Sequence, residues 1–283
     1  MKRTGRRMPR RRFLSHSPAV LLGSASGVAL AATVALVGNI ALGASAAGDT
    51  GQSGVHTART ATPEQPPPAT NCATTAAVTH GWGAPNRSND FTDPALAGWR
   101  LYNGPGHAGN GRRTPTAASV AAGVMTITGD ARGNSEGMAW APGQTYGRWE
   151  ACVRSSPAAA GYHSVLLLWP DAEDWPSGGE IDFMEITDPR RQAVGAALHY
   201  GATDEQENST VEIDATTWHS WAVEWTHDDV TFYVDGSPWW QVANPAIIPH
   251  RAMQLCIQLD DLGGDLSQGG QLMVDWVRQY PVP

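Results

Sequence analysis

The chain has 283 residues, with 19 basic side chains against 27 acidic ones. Seven of the bases (Lys2, Arg3, Arg6, Arg7, Arg10, Arg11 and Arg12) lie in the first seventeen residues, where no acid occurs; the rest of the chain sets 12 basic residues against 27 acidic, a balance of 15 negative charges. A body so charged repels phosphate, which excludes nucleic acid and anionic membrane surfaces as partners, leaves neutral polymers open and favours solubility.

In chain order, the basic start is followed by an apolar, small-residue run from Pro18 to about Gly43, ending in Ala44-Ser45-Ala46. That order predicts a secretion signal over residues 1–46 and an extracellular location. Left uncleaved, the run is long enough to span a bilayer and would tether the chain to the cell surface. Arg10-Arg11-Arg12-Phe13-Leu14 resembles a twin-arginine signal. Residues 47–77 are rich in Thr, Ala, Gly and Pro, with Pro66-Pro67-Pro68 in the middle, and predict a disordered spacer. Residues 78–283 have one uniform texture and predict a single folded domain, with no sign of a protein partner and a monomer as the expected state.

Inside that domain, short runs of Val, Ile, Thr, Trp and Tyr alternate with turn residues, and helical periodicity is scarce. Strands are expected at Val124–Thr128, Arg148–Val153, Trp221–Trp225, Val230–Val234 and Leu272–Val277. Asp235-Gly236 is a hairpin-type pair. Many short strands with Gly/Pro turns predict an all-β sandwich or barrel. The three cysteines, Cys72, Cys152 and Cys256, allow one disulfide and one odd thiol, with the pairing open; they are too few and too widely spaced for a zinc site, and no metal ligand set is expected. Twelve Trp against four Phe suggests flat platforms for sugar rings, with core packing as the competing explanation.

The strongest local pattern is Gly178-Gly179-Glu180-Ile181-Asp182-Phe183-Met184-Glu185. Side chains alternate along a strand, so Glu180 and Asp182 share a face, while regular alternation would put Glu185 on the other. One extra residue near Phe183-Met184, a β-bulge, restores all three acids to one face. The two Glu are then about four regular steps apart, roughly 13 Å between Cα atoms, and can lean inward over Asp182. Crowded acids raise at least one pKa, so that one carboxyl stays protonated near neutrality. An ionised carboxylate beside a protonated one is what glycosidic cleavage requires, and a carboxyl gap of about 5 to 5.5 Å would suit the retaining route. A solvated acidic face and a calcium site are the other uses of such a cluster.

At these residues the chain resembles glycoside hydrolase family 16, the group of laminarinases, lichenases and agarases. Glu180-Ile181-Asp182-Phe183-Met184-Glu185 resembles the bulged Glu-x-Asp-x-x-Glu form of its signature. Tyr146–Ala151, Trp218–Trp225 with Phe232–Gly236, and Val274–Arg278 resemble other strands of the family, over about 200 residues in all. The resemblance implies a jelly-roll β-sandwich of two antiparallel sheets with a concave substrate cleft. It implies Glu180 as nucleophile, Glu185 as acid and base, and Asp182 as the group that sets their protonation. It further implies Trp169, Trp175, His199 and Gln258 as polysaccharide-binding residues, with Trp140 a candidate to line a subsite. No cofactor is required; Asp275 corresponds to a position near a structural calcium in some relatives. Two segments depart from the pattern. His163-Ser164-Val165-Leu166-Leu167-Leu168-Trp169 stands where laminarinases often have Trp-Pro-Ala-Phe-Trp-Leu, and Gln258–Gly264 replaces a common Asn-Leu-Ala-x-Gly-Gly run. The expected function is a secreted retaining endo-hydrolase of β-1,3- or mixed β-1,3/1,4-glucan. A transglycosylase, an agar or carrageenan hydrolase and a non-catalytic sugar-binding jelly roll are the alternatives; intact acids disfavour the last.

Overall fold

The computed structural model describes residues 70–282. The signal expected over 1–46, and the spacer as far as residue 69, lie outside the described residues. A short helix, α1 (Ala76–Thr79), precedes eighteen strands. The first seven are β1 (Arg87–Asn89), β2 (Arg100–Leu101), β3 (Gly104–Pro105), β4 (Arg112–Arg113), β5 (Ala118–Ala121), β6 (Val124–Gly129) and β7 (Asn134–Ser135). Then come β8 (Gly137–Gln144), β9 (Gly147–Ser155), β10 (Tyr162–Pro170), β11 (Glu180–Ile186), β12 (Ala193–Tyr200) and β13 (Glu205–Glu212). The last are β14 (His219–Trp225), β15 (Val230–Val234), β16 (Ser237–Val242), β17 (Met253–Asp261) and β18 (Gly270–Tyr280).

Two large antiparallel sheets face each other, as expected for the β-sandwich. The back sheet runs β16-β15-β14-β9-β18-β6-β5, with β1 added along β18. The cleft sheet runs β13-β12-β11-β10-β17-β8-β2. A small third sheet, β3-β4-β7, was not foreseen, because its strands are two residues long and carry no pattern to read. All five expected strands form; β15 has the expected bounds and the other four extend slightly beyond theirs. Asp235 and Gly236 both take positive φ, 47° and 76°, as a two-residue turn matching strand twist requires.

The core lies between the sheets and is set by alternation. On β17, Leu255, Ile257 and Leu259 enter it, while Cys256 and Gln258 face the other way into the cleft. On β10, Leu166 and Leu168 point inward, and Val165, Leu167 and Trp169 line the cleft. The same parity corrects one expectation. Trp140 on β8 pairs across from Leu255, shares its inward face and is 3 % exposed. It stacks on Trp99 with ring centroids 5.4 Å apart and carries the Arg87 guanidinium on its face. Trp140 is thus a core residue and does not line the cleft; its neighbour Ala139 takes the outward face.

The second correction is the spacer's boundary. Residues 70–77 are part of the folded unit and cover the outer face of the back sheet. Cys72 is bonded to Cys152 on β9, and Cys256 is the free, buried thiol. That bond closes a loop of 80 residues, worth about 4 to 5 kcal/mol in the chain-entropy account. Thr75 caps α1 by accepting from the Val78 amide, and Ala76 and Ala77 pack with Trp82, Ala222, Tyr233 and Tyr280. The buried Glu150 carboxylate accepts the Ala76 amide at 2.6 Å and the Ala77 amide at 3.4 Å. Asp275, the position compared with a calcium site, accepts the Asn71 amide at 2.8 Å and so helps hold the same segment.

Candidate active site

The cleft lies on the outer face of the cleft sheet, with a volume of about 860 Å³. Strand β11 crosses its middle. The anticipated bulge is present: against β10, Leu166 pairs with Met184 and the next residue, Leu167, with Asp182, so Phe183 is the extra residue. The register against β12 shifts in the same place, between Asp182 and Glu185. Phe183 and Met184 both turn into the core, and Glu180, Asp182 and Glu185 all line the cleft. Gly179 makes the entry to the strand possible. Its φ is 79°, and a Cβ there would lie 2.7 Å from the Pro249 ring and 3.0 Å from the His199 carbonyl oxygen.

The three acids differ in setting. Burial, reinforced by the negative charge of Asp182, pushes Glu180 well above the usual carboxylate range. Asp182 is also raised by burial, against the hydrogen bond and positive charge of His199. Two buried acids raised together hold a proton between them. Glu185 is 37 % exposed at its side chain, with His163 Nδ1 3.7 Å from its Oε1.

His199, opposite Glu180 on β12, sits between two carboxylates: Nε2 is 3.0 Å from Asp182 Oδ2 and Nδ1 is 2.7 Å from Asp204 Oδ1. Burial alone would lower its pKa, but the bonds to Asp182 and Asp204 outweigh this and lift it to about 9. Glu180, Asp182 and His199 bring potential ligand atoms within 4.8 Å of one another, the one such metal-sized grouping among the described residues. Both imidazole nitrogens are taken up by carboxylates, so the trio is suited to sharing protons rather than to ligating a metal through the ring.

Trp169 and Trp175 line one part of the cleft and stack at 6.1 Å and 14°. Trp169 donates its indole N–H to Glu173 at 2.8 Å, and Trp175 is 41 % exposed. The pair offers a flat, partly bare aromatic surface of the kind a sugar ring stacks on. Gln258 also lines the cleft, its amide oxygen held by Arg113. Arg113 also pairs with Asp260, two residues along on the same face of β17. The phenol of Tyr102 donates to Cys256 Sγ at 3.3 Å, and burial pushes that thiol up to about 12, keeping it protonated. Sequence reasoning missed Asp204, Arg113, Asp260 and Tyr102. Asp260 was within reach, since it shares Gln258's face by simple alternation; Asp204 arrives through a turn and Arg113 on the two-residue strand β4, neither of which carries a pattern.

A sandwich of two antiparallel sheets with three acids on a bulged strand across an open cleft defines the class, a carbohydrate-active jelly roll. Residues 111–278 match the family described as Glycosyl hydrolases family 16, and the chain belongs to that family. It is 29 % identical over 165 residues to a β-glucanase of Rhodothermus marinus, covering 48 % of this chain and 57 % of that protein. It is 25 % identical over 223 residues to the endo-1,3-1,4-β-glycanase EglC of Rhizobium meliloti, covering 70 % of this chain and 46 % of that protein. The chain spans roughly half the length of these curated relatives. Among solved structures, the laminarinase catalytic domain from Thermotoga maritima superposes with a TM-score of 0.64 at 19 % identity, covering 71 % of this chain and 98 % of that one. The laminarinase from Rhodothermus marinus does so at 0.62 and 23 %, covering 70 % and 97 %. At those identities the structures establish the shared fold.

Proposed function

We propose that this chain is a secreted, retaining endo-hydrolase of β-1,3- or mixed β-1,3/1,4-glucan. The observation that carries the proposal is the bulge at Phe183, which turns Glu180, Asp182 and Glu185 into one cleft. In the first step the Glu180 carboxylate attacks the anomeric carbon while Glu185 gives its proton to the departing glycosidic oxygen, leaving a glycosyl ester on Glu180. In the second, Glu185 takes a proton from water, the hydroxide attacks the same carbon and Glu180 leaves as carboxylate. Asp182 holds the proton shared with Glu180 when Glu180 attacks; its raised affinity for protons fits it for this. The carboxyls supply nucleophile and proton between them, so the reaction needs no cofactor. The matched relatives' names support the glucan substrate, and the Trp169–Trp175 surface supports a sugar chain in the cleft.

The test is a panel of laminarin, mixed-linkage β-glucan, agarose and carrageenan with linkage analysis of the products. Short β-1,3- or β-1,3/1,4-linked oligosaccharides are expected, with no lengthened transfer products. Glu180→Gln should lower kcat by roughly a thousandfold or more with the melting temperature kept. A Glu180→Gln variant as active as the parent on every substrate would overturn the proposal.

A further inference from the structure

His199, expected to bind the polysaccharide, is held in the structure by two acids. The groups facing its ring are Glu180 and Asp182 from β11, Asp204 from the turn after β12, and the uncharged Gln206, its partner on β13. The ring nitrogens lie 3.0 Å from an oxygen of Asp182 and 2.7 Å from one of Asp204, so both are engaged by carboxyl groups, and an imidazolium donates to both. No ring nitrogen is left to accept from, or donate to, a sugar hydroxyl.

Asp204 reaches the ring through an unusual backbone state. Its φ is 59°, in the left-handed region, which Asp and Asn tolerate far better than other side chains. Gln206 donates to the second oxygen of its carboxylate at 3.3 Å, so the acid is held from both sides.

We propose that Asp204 is a positioning residue of the site: it fixes His199 as an imidazolium on Asp182, so that the histidine serves the carboxyl pair and not the sugar. The proposal rests on Glu180 being the nucleophile. The imidazolium is the cation that offsets the buried Glu180–Asp182 pair, favouring an ionised Glu180. Asp204's own negative charge works against that, but the effect of His199 is the larger of the two at Glu180.

Asp204→Asn tests this in the full chain. Asn keeps the shape, the left-handed turn and an oxygen for Nδ1, and removes the charge alone. Two readouts are needed: the titration of His199 by 15N NMR, and kcat and KM on the substrate that the parent cleaves best. The His199 pKa should fall by about one unit or more on loss of a carboxylate in contact. The matching loss in kcat is about tenfold with KM held within about twofold. An unmoved titration would overturn the proposal, as would a raised KM with kcat intact, the mark of a sugar ligand. A parent chain inactive on every polysaccharide would sink the hydrolase assignment and with it the positioning role, while the titration still reads the Asp204–His199 link without turnover.

Discussion

Glu180 and Glu185 are the same residue type in two environments. Glu180 shares a buried proton-holding pair with Asp182, whereas Glu185 stands more open, past the bulge and near His163. Distinct environments are what separate the roles of two catalytic carboxyls. Water and small anions can reach Glu185, so Glu185→Ala should be nearly inactive on polysaccharide. Azide should restore turnover on a substrate with a good leaving group, giving a glycosyl azide of retained configuration. Absence of any rescue on such a substrate would count against the acid/base role. The three acids were legible in the sequence because alternation puts a strict demand on them. Trp140 was open to the same reasoning. It lies at an inward position of a strand whose outward neighbours, Gly137 and Ala139, are small, but its chemistry suggested a sugar platform. The tryptophans divide between the two explanations their number left open: Trp169 and Trp175 line the cleft, whereas Trp82, Trp99, Trp140, Trp149, Trp221, Trp225 and Trp276 are buried.

Strand β11 is held at its far end by a residue with no sequence signature. Arg191 is fully buried, and its guanidinium donates to the carbonyls of Ser156, Tyr162, Ile186 and Asp188. These belong to the ends of β10 and β11 and to the segments just after β9 and β11, so a single side chain fastens three neighbouring strand ends. Burial lowers its pKa to about 10, still charged under ordinary conditions. Arg191→Met keeps bulk and removes every donor. The loss should be about 3 kcal/mol or more, since several buried carbonyls lose charge-assisted partners. A melting temperature within a degree of the parent's would refute this. The bulge itself was readable because three acids on one strand need it. Helix α1 was not, being a single turn whose cap and packing depend on Glu150 and Tyr233, far away in sequence.

For the molecule as a whole, buried acids dominate the dependence of stability on pH. Burial raises Glu136 and Glu150 to about 7, and His199 is lifted to about 9. A group whose pKa is higher folded than unfolded stabilises fully below its unfolded value and loses that contribution as pH rises through the folded one. The two glutamates therefore contribute fully below about pH 4.5 and lose it by about pH 7; His199 contributes below about 6.5 and loses it through about 9. Asp130 is shifted the other way, to about 2, its hydrogen bonds from Asn134 and Arg132 outweighing burial, and its contribution is lost only as pH falls through that value. The melting temperature should thus peak near pH 4 to 5 and decline toward pH 9; a steady rise from pH 5 to 9 would contradict these assignments. The sandwich was legible from strand runs and turn pairs. The domain's start was not, because residues 70–77 share the spacer's composition and are fastened by Cys152, Glu150 and Asp275 from the back sheet.

The central claim is that Glu180 becomes covalently bonded to the sugar. An activated 2-deoxy-2-fluoro glucoside or laminaribioside, incubated with the full chain and followed by peptide mass spectrometry, tests it directly. One glycosyl unit should appear on the peptide carrying Glu180, with loss of activity in step. An adduct on Glu185 or on another residue, or rapid turnover with inverted product and no adduct, would contradict the account.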